Sequence, residues 1–176
     1  MKIMHVLGLA PGIENYKRIP EIETIGVNDI FKYTYVDNLV VLDNIETFSR
    51  DRLVTILSSR PRRCFSHLDE WNGLWEYRKI SLNEKGGDVS TLDDFSQIPR
   101  HVDSTFTAVC LAYWLGAKQI EMHYVSFYGH PSLTHYFDKI SQCYSDLKEA
   151  LHVRGVKLVS STNNSLLNTV LDYLPQ

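Results

Sequence analysis

Residues Ser104 to Tyr128, STFTAVCLAYWLGAKQIEMHYVSFY, constrain the fold more than any other stretch. Ala108, Val109, Leu111, Ala112, Trp114 and Leu115 leave no side of a helix for water, so this helix must be covered all round. Gly116 supplies the left-handed residue that ends it, and Lys118 is placed just past its negative end. Ile120, Met122, Tyr124 and Val125 then read as a strand with neighbours on both sides. Ser104, Thr105 and Thr107 crowd the helix start, where unpaired backbone N–H groups favour an anion. The expectation is a sunken helix whose electropositive end opens on a phosphate seat beside a strand end.

The remaining elements are expected to build the other wall of that seat. Lys2 to Ala10 is a β-rich run entering the loop Pro11-Gly12-Ile13-Glu14-Asn15. A first strand followed by a glycine-containing turn opens many nucleotide-binding α/β domains, although Gly8-x-x-x-Gly12 is neither G-x-G-x-x-G nor a P-loop. A second strand over Thr24 to Asn28 ends at Asn28-Asp29, near the roughly 20-residue separation at which such domains set an acid against a ribose. Capping of the following helical turn is the plainer role for the same pair. Leu39 to Leu42 forms a third strand closing with Asp43-Asn44. Glu46 to Ser59 follows as a helix with Phe48, Leu53, Val54, Ile56 and Leu57 inward. A fourth strand is expected over Arg62 to Ser66.

From His67 to His101 the periodicity lapses. This segment reads as a loop-rich insertion or lid, with a hairpin strand near Trp75 to Leu82. His67, Asp69 and Glu70 have no strong metal-site spacing, so no metal is expected. Past Gly129-His130-Pro131-Ser132, an amphipathic helix is predicted over Thr134 to Val153, a strand over Val156 to Val159 and a closing helix over Asn163 to Leu174. Strands alternating with helices give one α/β domain over residues 1–176: a single doubly wound, mostly parallel sheet with helices on both faces.

Composition excludes several classes. A net charge of −3 argues against broad nucleic-acid binding, and Cys64, Cys110 and Cys143 form neither a C-x-x-C pair nor a disulfide framework. The first apolar run is about nine residues, too short for a membrane span. A cytoplasmic protein is therefore expected, as a monomer or homo-oligomer, with a small-molecule partner.

Four pieces together carry a resemblance: LGLAPG after the first strand, VND after the second, VVLDN after the third, and the block from Ser104 through SFYGH. Their order is similar to the Rossmann-like superfamily of family-42 sialyltransferases and archaeal-type hydroxymethyl-dihydropterin pyrophosphokinases; short tailed-phage proteins look alike as well. The resemblance implies a nucleotide or nucleotide sugar of the CMP type as ligand, with no other cofactor. Gly8, Pro11 and Gly12 would lie near the nucleotide, and Asn28, Asp43 or Asn44 would contact its sugar. Ser104 and Thr105 would hold the phosphate, Tyr128 would stabilise it on departure, and His130 or His135 would act as general base.

The chain departs from that pattern at three places. Leu9-Ala10-Pro11-Gly12 stands for the family's Asn-Gly-Pro-Ser, Phe106 for a small residue, and Tyr124-Val125-Ser126-Phe127 for Gly-x-Asp-Phe. Two functions are thus expected to compete: a glycosyltransferase-like transferase, and a nucleotide-binding module without turnover. An oxidoreductase would rest on Gly8 and Asp29 alone.

Overall fold

The computed structural model describes residues 1–101, 103–128 and 136–175. Eight strands, all parallel, form one sheet: β1 (Ile3–Leu7), β2 (Glu23–Val27), β3 (Asn38–Val40), β4 (Arg63–Ser66), β5 (Tyr77–Lys79), β6 (Gln119–His123), β7 (Lys157–Ser160) and β8 (Asp172–Tyr173). Their order is β5-β4-β3-β2-β1-β6-β7-β8. The chain walks outward from β1 to β5, then returns to β1's other side to begin β6. That reversal puts the topological switch point, where open α/β sheets bind ligands outside the carboxyl strand ends, between β1 and β6.

Side-chain alternation along β1 sorts the two faces. Met4 and Val6 join Ile25, Val40, Phe65, Ile120 and Met122 under α2 (Ser104–Trp114) and α3 (Phe137–Val153). Leu7 points the other way and packs with Leu39, Val41, Cys64, Trp71 and Ile56 of α1 (Arg50–Ser58). As its composition requires, α2 is buried from Thr105 to Ala112. Gly116 takes the left-handed conformation (φ 87°). At that end Lys2 Nζ donates to the Leu115 carbonyl at 2.7 Å.

Several expected elements differ. The helix foreseen over Glu46 to Ser59 begins at Arg50, behind a 3-10 turn at Ile45–Thr47, and Val54 and Leu57 face water. The strand near Trp75 to Leu82 is no hairpin, because β5 adds parallel to β4 as the sheet edge. Within the 67–101 segment, Trp71, Ile80, Leu92 and Ile98 are buried and anchor it to both cores. The closing helix over Asn163 to Leu174 is instead a 3-10 turn at Leu166–Thr169 followed by the edge strand β8. Leu166, Leu167 and Leu171 are all buried there, a pattern short enough to be met by one turn and a bend.

Candidate functional site

Because α2 leads directly into β6, its first residue lies at the carboxyl edge of the sheet. There a cleft of about 350 Å³ is lined by Leu42 and Asp43 beyond β3, His67 beyond β4, and Leu82, Glu84 and Gly86 of the following loop. Arg100, His101, Asp103, Ser104 and Lys139 complete it. Asp43 and Ser104 thus line one cleft, and its volume falls in the range of small-ligand sites.

The helix start itself is differently built from the expectation. Asp103, not Ser104, is the N-cap, and its Oδ1 accepts from the Phe106 N–H at 2.9 Å. The hydroxyls of Thr105 and Tyr144 also donate to Asp103, and Thr105 and Tyr144 lie 2.9 Å apart. Thr107 donates to the Pro99 carbonyl and is fully buried. Thus Ser104 alone of the three hydroxyl residues lines the cleft. Burial, reinforced by the Asp103 carboxylate, raises the Tyr144 phenol well above its usual range.

Two histidines given no part in the expected nucleotide site face this cleft. His101, with its side chain 1% exposed, holds Asp103 through Nδ1 at 3.3 Å, while its Nε2 has no hydrogen-bond partner among the described residues. His67 Nδ1 is likewise buried and unpartnered. Burial, then the charge of Arg100, lowers the His67 pKa against the pull of Asp43 and Glu70. With Arg100 and Lys139 on the same wall, the cleft offers donors for an anion between the acids Asp43, Glu84 and Asp103.

The other expected contacts are distributed along the same edge. Asn28, in the left-handed region at φ 51°, reaches Asp43 Oδ2 at 3.4 Å, and its own Oδ1 is a further unpartnered buried acceptor. Asp29 is turned to α1, where Arg52 donates Nε and an NH2 group to its Oδ1 at 2.9 and 2.7 Å. Asn44 is exposed and its carbonyl accepts from Thr47. Gly8 and Gly12 pack against Tyr124 rather than lining the cleft. A Cβ on Gly8 would lie 2.5 Å from the Tyr124 carbonyl oxygen, and one on Gly12 would lie 3.3 Å from the Tyr124 ring. Pro11, beside them, is exposed. Tyr128 is exposed and stands edge-on to Phe137, ring centroids 5.8 Å apart. His130 and His135 lie outside the described residues.

A second concavity, of about 690 Å³, opens on the opposite face of the β1–β6 pair. Its floor is polar: His5 of β1 sits in register with Glu121 of β6, and His123 follows two residues on, on the same face. Burial, then neighbouring His5, pushes His123 down to about 3. Burial also lowers His5, opposed by the Glu121 carboxylate. Only an alignment of β1 with β6 reveals this cluster, since His5 lies more than a hundred residues from Glu121 and His123 in the chain.

No family model matches the chain, and neither does any curated protein. Among solved structures it is similar to the sialyltransferase CstII from Campylobacter jejuni in complex with the substrate analogue CMP-3FNeuAc, with a TM-score of 0.62 and 13% identity over 99% of this chain and 86% of that one. It is also similar to the same sialyltransferase in complex with cytidine-5'-monophosphate, with a TM-score of 0.58 and 12% identity over 100% of this chain and 86% of the other. At these identities the likeness is one of fold: this chain has a sialyltransferase-like α/β fold.

Proposed function

We propose that the carboxyl-edge cleft binds a nucleoside monophosphate or its sugar conjugate, of the cytidine class, and that the protein is a glycosyltransferase-like transferase. The observation that carries this reading is the buried, unpartnered Nε2 of His101 beside Ser104, Arg100 and Lys139. Polar atoms left unpaired in a buried wall are satisfied when a ligand supplies the missing partner. The fold adds support, since both similar structures hold CMP-type ligands. In this reading Arg100, Lys139 and Ser104 receive the phosphate, and Asn28, Asp43 and Asn44 lie toward the ribose or sugar. Gly8, Pro11 and Gly12, which line no part of this cleft, carry no contact in this reading. Tyr128 meets the departing phosphate, and His130 or His135 takes the acceptor proton.

The test is calorimetric titration of CMP, UMP, AMP and GMP, with thermal melting alongside. Ligand at 100 times its Kd should stabilise the fold by about 2.7 kcal/mol. Arg100→Ala should abolish binding and leave the unliganded melting point in place. If no nucleotide binds, the reading fails. Tight CMP binding with no release of sugar from a CMP-sugar, with or without acceptor, would instead select the non-catalytic module. That second reading is favoured by the apolar Leu9-Ala10-Pro11-Gly12 loop, which brings no polar side chain to the ligand.

A further inference from the structure

We infer that His5, Glu121 and His123 form a binding site for one divalent transition-metal ion of the zinc class, on the sheet face away from α2. The donor atoms of the three residues all lie within 4.8 Å of one another. Glu121 Oε2 is 3.3 Å from His5 Nε2 and 3.6 Å from His123 Nε2. In a tetrahedral site with metal–nitrogen and metal–oxygen bonds of about 2.0–2.1 Å, neighbouring ligand atoms stand about 3.3–3.4 Å apart. The trio therefore needs only small rotations to close on an ion.

The surroundings point the same way. The Tyr16 hydroxyl is 2.8 Å from His5 Nδ1, and the Ser161 hydroxyl is 2.7 Å from His123 Nδ1. Gln119 donates to Glu121 Oε1 at 2.6 Å. Each candidate ligand is thus held through its outer atom, which turns both Nε2 atoms and Oε2 toward one point. Partners of this kind fix tautomer and ring orientation at metal centres. Two imidazoles and a carboxylate suit zinc, iron, cobalt or nickel better than calcium or magnesium, whose sites are built of oxygen. Three protein ligands facing a concavity of about 690 Å³ leave the fourth position to water or a small molecule.

The experiment uses the whole chain, stripped with EDTA and dialysed, then titrated with Zn²⁺ against a chromophoric chelator and with Co²⁺ by visible absorption. One ion per chain is expected, with a d–d band from Co²⁺ and a melting point raised by Zn²⁺. His5→Gln and Glu121→Gln should each weaken Zn²⁺ binding by more than about 100-fold, and Tyr16→Phe and Ser161→Ala by about 10- to 100-fold, with circular dichroism unchanged. Zn²⁺ binding of equal strength in Glu121→Gln would overturn the inference, because the ion would then sit elsewhere. Should that variant fail to fold, the wild-type Co²⁺ spectrum decides: no band at one equivalent also overturns it. CMP titration of the stripped protein reads the other cleft separately, so the two proposals fail or stand independently.

Discussion

Replacing Asp103 with alanine removes one carboxylate on which four groups converge. Its loss takes away the α2 cap from Phe106 N–H, worth about 1 kcal/mol. It also removes the charged acceptor of the Tyr144 and Thr105 hydroxyls, and hydrogen bonds to charged groups contribute about 1.5–3 kcal/mol each. Those two hydroxyls already lie within hydrogen-bond distance of each other, so in the variant they pair and only one bond's worth is lost. The His101 contact at 3.3 Å is long and adds little. The sum is about 2.5–4 kcal/mol, which for a chain of this size lowers Tm by about 5–16 °C.

Asp103→Asn keeps an oxygen for the cap but loses the charge, so about half that fall is expected. Calorimetric melting of both variants at neutral pH is the assay, with Tyr144→Phe in each background. Tyr144→Phe should destabilise wild type more than Asp103→Ala, with a coupling of at least about 0.5 kcal/mol. An Asp103→Ala midpoint within about 2 °C of wild type would show that the carboxylate does not hold this helix end, and the ledger would be wrong. The same variant bears on ligand binding. Asp103 puts a negative charge at the helix end facing the cleft, so Asp103→Asn should bind CMP more tightly than wild type.

Two further outcomes are expected. Gly8→Ala would press a methyl group against the Tyr124 carbonyl oxygen at 2.5 Å and Val125 Cγ2 at 2.9 Å, forcing the β1–β6 seam apart. A loss of about 3 kcal/mol or more in urea unfolding is expected, while Gly73→Ala, which meets nothing within 4 Å, should be neutral; equal effects would refute the packing argument. Burial would raise the Asp37 carboxyl, but hydrogen bonds from Thr24 and Arg18 outweigh it and hold the pKa below 3.8. Its stabilisation is thus fully present above about pH 4 and lost as pH falls through the lower folded value. Asp37→Asn should melt well below wild type at neutral pH, with a gap that narrows as pH falls below about 4, and a gap that stays constant into acid would contradict the assignment.

The sheet was legible because central parallel strands are apolar runs: β2, β3, β4, β6 and β7 each lie within a residue or two of the stretches that composition marks, and β1 fills the first part of its run. α2 and α3 were legible for a related reason, one apolar all round and the other striped at helical spacing. The errors fall where tertiary pairing overrides local pattern. β5 and β8 are edge strands of three and two residues, too short to leave a period, and both exist because a neighbouring strand offers unpaired backbone groups. Val54 and Leu57 show the converse, apolar side chains at nearly helical spacing that α1 presents to water. At the cleft, Asp43 and Ser104 could be read as ends of elements. Arg100 and His101 could not, since they sit in a segment without periodicity and gain meaning only from where α2 begins.

His5, Glu121 and His123 pose the sharpest conflict between local rule and position. β1 and β6 flank the switch point, and the other buried residues of these two strands, Met4, Val6, Leu7, Ile120 and Met122, are all apolar. A carboxylate nearly removed from water there carries a penalty on the order of several kcal/mol, only partly returned by its neighbours. Apolar side chains in the same register would pack this face more cheaply, as Leu7 and Leu39 do beside it. Consistency across levels is what specifies a fold, and the places that violate it are where function is to be sought. The hydroxyls of Tyr16 and Ser161 sharpen the point. Each occupies the outer nitrogen of a histidine, so both imidazoles turn their inner nitrogens toward the same Glu121 oxygen. A simple buried ion pair would need one such histidine; two, both oriented from behind, make a set of ligands.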